Sequence, residues 1–235
     1  MTKRKSKVVS CKKKRQSQPT PPPAAMPSLS HTVPINRQQS AALEVVRNNA
    51  ISYLVGPAGT GKTHVAAIHA VQQFLDKKIK HIVIARPIVE AGESLGFLPG
   101  DFEAKASPYL KPIFDVVDRM CGGHTNLRAL VQSALIIAPI AYMRGRTFHN
   151  SVVLLDEAQN CKQQQLKLVG SRIAQSSQAI YTGDLGQSDL EKRYQAFGEH
   201  LERVAGLDGV GIFQFDSKGI VRHPILESWL GRLES

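Results

Sequence analysis

The stretch Gly56-Pro57-Ala58-Gly59-Thr60-Gly61-Lys62-Thr63 fills every fixed position of the phosphate-binding pattern G-x-x-x-x-G-K-[ST]. Its flanks supply the context that the pattern needs: the apolar run Ile51–Val55 reads as a strand before it, and a helical pattern through Val65, Ile68, His69 and Gln72 follows it. A triphosphate requires many donors close together and no side chains in the way. Gly56, Gly59 and Gly61 have no Cβ, so the backbone can curl and turn successive N–H groups inward. The helix that begins near Lys62 adds its free N–H groups and the positive end of its dipole. Lys62 is expected to reach the β- and γ-phosphates of ATP and Thr63 to ligate Mg²⁺ through its hydroxyl, with His64 just beyond them lining the nucleotide site.

A second signal lies downstream. The apolar run Val152–Leu155 leads directly into Asp156-Glu157. A strand covered on both faces that ends in an acid delivers a carboxylate to the edge where the phosphate loop sits. Asp156 is expected to hold Mg²⁺, directly or through water, and Glu157 to polarise the attacking water. Taken alone, two acids after a strand also suit the start of a helix. The run Gln178–Tyr181 ends in Thr182-Gly183-Asp184. Asp184 there is open to two readings, a sensor of the γ-phosphate or ordinary Gly-Asp turn chemistry.

The remaining chain fits the same architecture. Ala42, Leu43 and Val46 give one apolar face of a helix, and His81–Ala85, Leu135–Ala138 and Gly211–Phe215 read as further strands. Residues 88–112 are punctuated by Gly92, Gly96, Pro99, Gly100, Pro108 and Pro112, and a loop of that length is usually functional. Ile113–Met120 and Asn126–Ser133 read as helices. Strands alternating with helices predict an α/β domain, a P-loop NTPase of three layers with a mostly parallel sheet.

The formal net charge of +11 over 235 residues is concentrated at one end. Lys3, Arg4, Lys5, Lys7, Lys12, Lys13, Lys14 and Arg15 carry eight positive charges, and the first acidic residue is Glu44, so the remainder is close to balanced. Residues 1–34 add Gln16-Ser-Gln-Pro-Thr-Pro-Pro-Pro23, a composition unable to bury enough apolar surface to order itself. They are expected to form a disordered basic tail, either holding a nucleic-acid backbone by salt-sensitive contacts or acting as a solubilising segment. Residues 35–235 are expected to form the folded domain. No apolar run approaches a bilayer span and the basic N-terminus lacks the apolar core of a secretion signal, so the expectation is a soluble, cytoplasmic protein without membrane partners. Cys11, Cys121 and Cys161 are odd in number and widely spaced, which predicts free thiols rather than a disulfide framework or zinc site.

The sequence resembles the PhoH-like proteins, a P-loop ATPase family related to the RecA-like cores of superfamily 1 helicases. The resemblance rests on Gly56–Thr63, Arg86-Pro-Ile-Val-Glu-Ala-Gly-Glu-Ser-Leu-Gly-Phe-Leu-Pro-Gly-Asp101, Ala138-Pro-Ile-Ala-Tyr-Met-Arg-Gly-Arg-Thr147, Asp156-Glu-Ala-Gln-Asn160, Thr182-Gly-Asp184 and Val221-Arg-His-Pro224, in this order. It implies that Gln39, in Ile35-Asn-x-x-Gln39, reads the adenine edge, a surface glutamine at a helix start being the plainer alternative. It implies that Gln159 links the γ-phosphate to bound nucleic acid and that Arg222 lies near the nucleotide, where a guanidinium suits developing negative charge. Arg86, Arg144 and Arg146 fall in motifs suited to a nucleic-acid backbone or a neighbouring subunit. No segment matches the additional nucleic-acid-binding or nuclease domain of some relatives, so autonomous RNA cleavage is not expected of these residues.

Superfamily 1 helicases close two such domains around one ATP, whereas about 200 folded residues make one. If Arg222 or Arg146 reaches a γ-phosphate, the second half of the site comes from another copy of the chain. That predicts a homo-oligomer with head-to-tail contacts, of which a ring is the closed form. The expected function is ATP hydrolysis coupled to remodelling or unwinding of nucleic acid, RNA favoured over DNA. The same motor on DNA and a slow nucleotide-dependent interaction switch are the alternatives, with kinase activity a weaker one.

Overall fold

A computed structural model describes residues 36–87, 134–187 and 196–216. The basic tail, the loop at 88–112, the helices expected at Ile113–Met120 and Asn126–Ser133, and Arg222 with its Val221–Pro224 motif lie outside the described residues.

Helix α1 (Arg37–Asn48) starts at Asn36, whose side chain accepts a 2.9 Å bond from the Gln39 N–H and satisfies one of the helix's orphan donors. Its Ala42–Leu43–Val46 face is buried as expected. Strand β1 (Ile51–Val55) runs into the phosphate loop, and α2 (Lys62–Leu75) leaves it. There follow β2 (His81–Ala85), β3 (Leu135–Ile137), a 3₁₀ turn at Ile140–Met143, β4 (Ser151–Leu155), a second 3₁₀ turn at Ala158–Asn160, α3 (Gln163–Gly170), β5 (Gln178–Gly183), α4 (Phe197–Val204) and β6 (Val210–Gln214). Each strand expected from its apolar run is present, with its ends displaced by no more than two residues.

The described strands form one parallel sheet in the order β3-β2-β4-β5-β1-β6. Residues alternate along each strand between two separate cores. Leu54, Ile82, Ile84, Val152, Leu154 and Ile180 pack with α1 and α2 on one face. Tyr53, Val55, Val83, Val153, Leu155 and Tyr181 pack with α3, α4 and the Ile140–Met143 turn on the other. This is the three-layer arrangement expected, and covering both faces explains why the central strands read as continuous apolar runs rather than as alternating ones. Tyr53 and Tyr181 stack with centroids 4.6 Å apart, and the buried Tyr53 hydroxyl meets His200 Nε2 at 2.9 Å. Burial, then the nearby Arg203, lowers the His200 pKa, which favours the neutral ring in this contact.

The strand order decides the site. The phosphate-loop strand β1 and the acid-bearing strand β4 are not neighbours, because β5 runs between them. The C-terminal ends of all three strands therefore meet at one edge.

Candidate nucleotide site

The loop between β1 and α2 is shaped by its glycines. Gly59 and Gly61 adopt φ of +86° and +90°, and Gly61 stands at the cap position of α2, where its carbonyl accepts the Val65 N–H at 2.9 Å. Gly56 has φ +147°, and a Cβ there would stand 2.7 Å from both Cβ and the carbonyl oxygen of Phe215. That close approach is built into the sheet, since the Gly56 N–H donates to the Gly183 carbonyl and the Phe215 N–H donates to the Val55 carbonyl. Gly56→Ala is accordingly expected to destabilise the domain by about 2 kcal/mol or more through φ strain and overpacking. Thermal unfolding checks this, and a midpoint matching wild type would contradict the packing described. Thr60 braces the loop internally, its hydroxyl donating to the Pro57 carbonyl at 2.9 Å.

Gln39 is buried, 1% exposed, and donates its amide nitrogen to the Thr60 carbonyl at 3.0 Å. It is therefore not the surface glutamine of the plainer reading. A Cβ on Gly61 would displace that amide nitrogen from its bond to Thr60, and the φ of +90° by itself favours glycine there. Gln38, beside it, donates to Asp216 Oδ1 and accepts the Asp216 N–H at 3.1 Å, tying α1 to the end of β6.

Under the loop, Thr63 and Asp156 meet: Thr63 Oγ1 donates to Asp156 Oδ1 at 2.9 Å. The Thr182 hydroxyl at the end of β5 donates to the same oxygen. Asp156 is 7% exposed, and its N–H is bonded to the Ala85 carbonyl at the end of β2, so it is held from both neighbouring strands. Thr182 belongs to the Thr182-Gly183-Asp184 motif, but the sequence assigns it no role, and its contact with Asp156 appears only in the fold. Its contribution follows from the position of β5 between β1 and β4, a long-range pairing that no local pattern reports.

Glu157 occupies the left-handed region at φ +56°, uncommon for a residue with a side chain and a marker of functional sites. It precedes the Ala158–Asn160 turn but makes no side-chain cap bond there. Its carboxylate instead accepts from Arg86 Nη2 at 3.1 Å and from Gln159 Nε2 at 2.6 Å. Gln159 Oε1 in turn accepts the Asp184 N–H at 3.1 Å. Arg86, Glu157, Gln159 and Asp184 thus form a chain of contacts from the end of β2 to the end of β5. Only the Asp184 N–H joins this chain; its Oδ1 accepts the Gly186 N–H at 2.9 Å, the local Gly-Asp turn chemistry of the second reading.

The Lys62 ammonium donates to the carbonyls of Gly56 and Pro57, at 2.5 and 2.8 Å. Pro57, Ala58 and His64 lie on the loop and first helical turn, all half-buried. Arg146 is placed elsewhere. Its guanidinium lies 5.0 Å from the centroid of the Phe148 ring, on the segment that carries the chain from β3 back to β4.

The donor set fits a metal ion delivered with a nucleotide. Among the described residues no group of three or more His, Cys, Asp or Glu side chains could hold an ion alone. One hydroxyl and one carboxylate, Thr63 and Asp156, suit Mg²⁺, which keeps waters and takes phosphate oxygens as further ligands. An open groove of about 440 Å³ at the opposite edge of the sheet, lined among others by Arg47, Gln73, Lys78 and Gln178, includes none of these residues. Cys161 is a free, buried thiol whose pKa is pushed up to about 12 by desolvation, and it takes no part.

Residues 32–232 match the family described as PhoH-like protein. The chain belongs to the PhoH-like family. It is 41% identical over 189 residues to a PhoH-like protein of Bacillus subtilis, covering 80% of this chain and 59% of the relative. It is 36% identical over 198 residues to protein PhoH of Escherichia coli, covering 83% of this chain and 56% of that one. The chain thus spans little more than half the length of these relatives. Among solved structures, the large terminase of a thermophilic bacteriophage superposes with a TM-score of 0.57 at 10% identity, covering 86% of this chain and 50% of the terminase. At that identity the likeness concerns the fold, which is that of the P-loop ATPases. This PhoH-like domain therefore carries a nucleotide-binding P-loop architecture, and no helix among its described residues is long and apolar enough to cross a membrane.

Proposed function

We propose that this PhoH-like domain is an Mg²⁺-dependent ATPase that couples hydrolysis to the remodelling or unwinding of RNA. The observation that carries the reading is the convergence of Thr63, Thr182 and Asp156 beneath a glycine loop, with Glu157 one residue further on. The loop N–H groups and the start of α2 receive the phosphates. Lys62 exchanges the Gly56 and Pro57 carbonyls for the β- and γ-phosphates, a stronger attraction because those oxygens carry full charge. Thr63 and Asp156 hold Mg²⁺, which when bound neutralises charge on the phosphate oxygens. Gln39, beside the loop, is the residue we assign to the adenine edge. Glu157 orients the attacking water and takes its proton, while Gln159 connects it to Asp184 and the γ-phosphate side.

In this reading the domain, residues 35–235, works in the cytoplasm as a homo-oligomer, with Arg222, or secondarily Arg146, reaching the γ-phosphate of a neighbour. The basic tail, residues 1–34, adds salt-sensitive contacts to the nucleic acid. The test is the ATPase rate of the full chain with Mg²⁺, alone and with single-stranded RNA, single-stranded DNA and duplexes. Stimulation several-fold, larger with RNA, is expected. No turnover under any condition refutes the enzyme; turnover indifferent to every nucleic acid refutes the motor and favours a nucleotide switch; a larger response to DNA reverses the choice of strand.

A further inference from the structure

The 3₁₀ turn Ile140–Met143 buries Ile140 and Met143 in the core beside α3, yet leaves Tyr142 between them 65% exposed. No other large apolar side chain among the described residues is as exposed. Arg144 and Arg146 follow it, both exposed, on either side of Gly145, whose φ of +74° turns the chain and around which a Cβ would meet nothing within 4 Å. Arg146 is held over the Phe148 ring by a cation–π contact. Among the described residues no carboxylate pairs with either arginine, and from Arg119 to Leu155 the sequence contains four arginines and no Asp or Glu. A turn anchored in the core thus presents one aromatic face and two guanidiniums in a stretch of chain that holds no acid.

We infer that Tyr142, Arg144 and Arg146 form a contact surface for single-stranded nucleic acid, the tyrosine stacking on a base and the arginines holding flanking phosphates. The inference rests on the reading of this domain as a nucleic-acid motor. An unpaired base has an apolar face to match Tyr142, which a duplex does not offer, and guanidinium forks match phosphate oxygens. Arg146 is then occupied with nucleic acid, which leaves Arg222 as the arginine that crosses between subunits.

The experiment is a binding titration of the full chain with labelled oligo-uridine and oligo-thymidine over a range of NaCl concentrations. Base stacking contributes about 1–3 kcal/mol per base, so Tyr142→Ala is expected to weaken binding roughly 5- to 150-fold at fixed salt, with the salt slope unchanged. Tyr142→Phe keeps the stacking face and is expected to keep the affinity. Arg144→Gln and Arg146→Gln are each expected to reduce the slope of log affinity against log salt by about 0.7. Equal loss on both oligomers assigns the contact to stacking and phosphate in general, and a loss confined to oligo-uridine assigns it to RNA. Thermal midpoints close to wild type establish that the variants are folded. Wild type that binds while Tyr142→Ala and the arginine variants bind equally well, at unchanged slope, overturns this surface alone. Wild type that binds neither oligomer overturns the motor reading and this surface with it. Variants that retain binding but lose self-association identify the surface as a subunit interface and also overturn the inference.

Discussion

Glu157→Gln is expected to lower ATP turnover by about 10²-fold or more while ATP and Mg²⁺ still bind. The substitution keeps the side chain's length and shape but removes the group that takes a proton from water. It leaves Thr63, Asp156 and Thr182 untouched, so the metal-binding pair and its support persist. The ion pair with Arg86 is lost, but its partners are 25% and 36% exposed, so solvent screens it and its loss costs on the order of 1 kcal/mol, small beside the stability of a folded domain. The fold is therefore expected to survive, and a fall in rate then reports chemistry rather than unfolding. Asp156→Asn is expected to act differently. Asp156 Oδ1 receives two hydroxyls and its carboxylate is the one charged protein ligand assigned to the metal, so its loss weakens Mg²⁺-dependent nucleotide binding itself. Equilibrium binding of a fluorescent ATP analogue with and without Mg²⁺, beside single-turnover hydrolysis, separates the two variants. Wild-type turnover in Glu157→Gln removes Glu157 from the catalytic role.

The parts of this site that are legible in the sequence are those whose chemistry is local. Three glycines, a lysine and a threonine within eight residues state their purpose because a phosphate cradle is made by one turn of backbone. Val152–Leu155 followed by Asp156 is legible for a similar reason: a run apolar at every position is covered on both faces, and its end is where a polar group returns to solvent. What joins the pieces is not legible. Thr182 acts on Asp156 because β5 separates β1 from β4, and strand order depends on crossovers that periodicity does not encode. The Arg86–Glu157 pair spans 71 positions for the same reason. The burial of Gln39 against Thr60 likewise depends on how α1 packs beside the loop. Helices α3 and α4 carry mostly polar residues between few apolar ones, with Leu166 and Val169 buried in one and Phe197 and Leu201 in the other, too short a pattern to separate from loop.

Catalysis is expected to be shared between subunits, with Arg222 acting on the nucleotide of a neighbour. A single sheet edge supplies a phosphate cradle, a metal acid and Glu157, all from one side, and a γ-phosphate facing water on the other side would have its developing charge screened. A guanidinium from an adjoining copy excludes that water and adds charge where it develops. Loss of such an arginine costs on the order of 10³-fold or more in rate while sparing nucleotide affinity. Arg222→Ala alone does not establish which subunit the arginine serves, because the same loss follows if it acts within its own chain. Mixing does. Glu157→Gln and Arg222→Ala subunits, each inactive, are combined under conditions where exchange is demonstrated by a fluorescent label. Interfaces that pair an intact Glu157 site with a neighbour's intact Arg222 are expected to recover a fraction of wild-type turnover. An arginine acting within its own chain restores nothing, since every site in the mixture then lacks one of the two groups. Repeating the mixture with Arg146→Ala is expected to restore nothing beyond what that variant already shows alone, because Arg146 is assigned to the Tyr142 surface. Recovery with Arg146→Ala but not with Arg222→Ala would exchange the two assignments. A wild-type protein fully active as a monomer would remove the need for a second subunit.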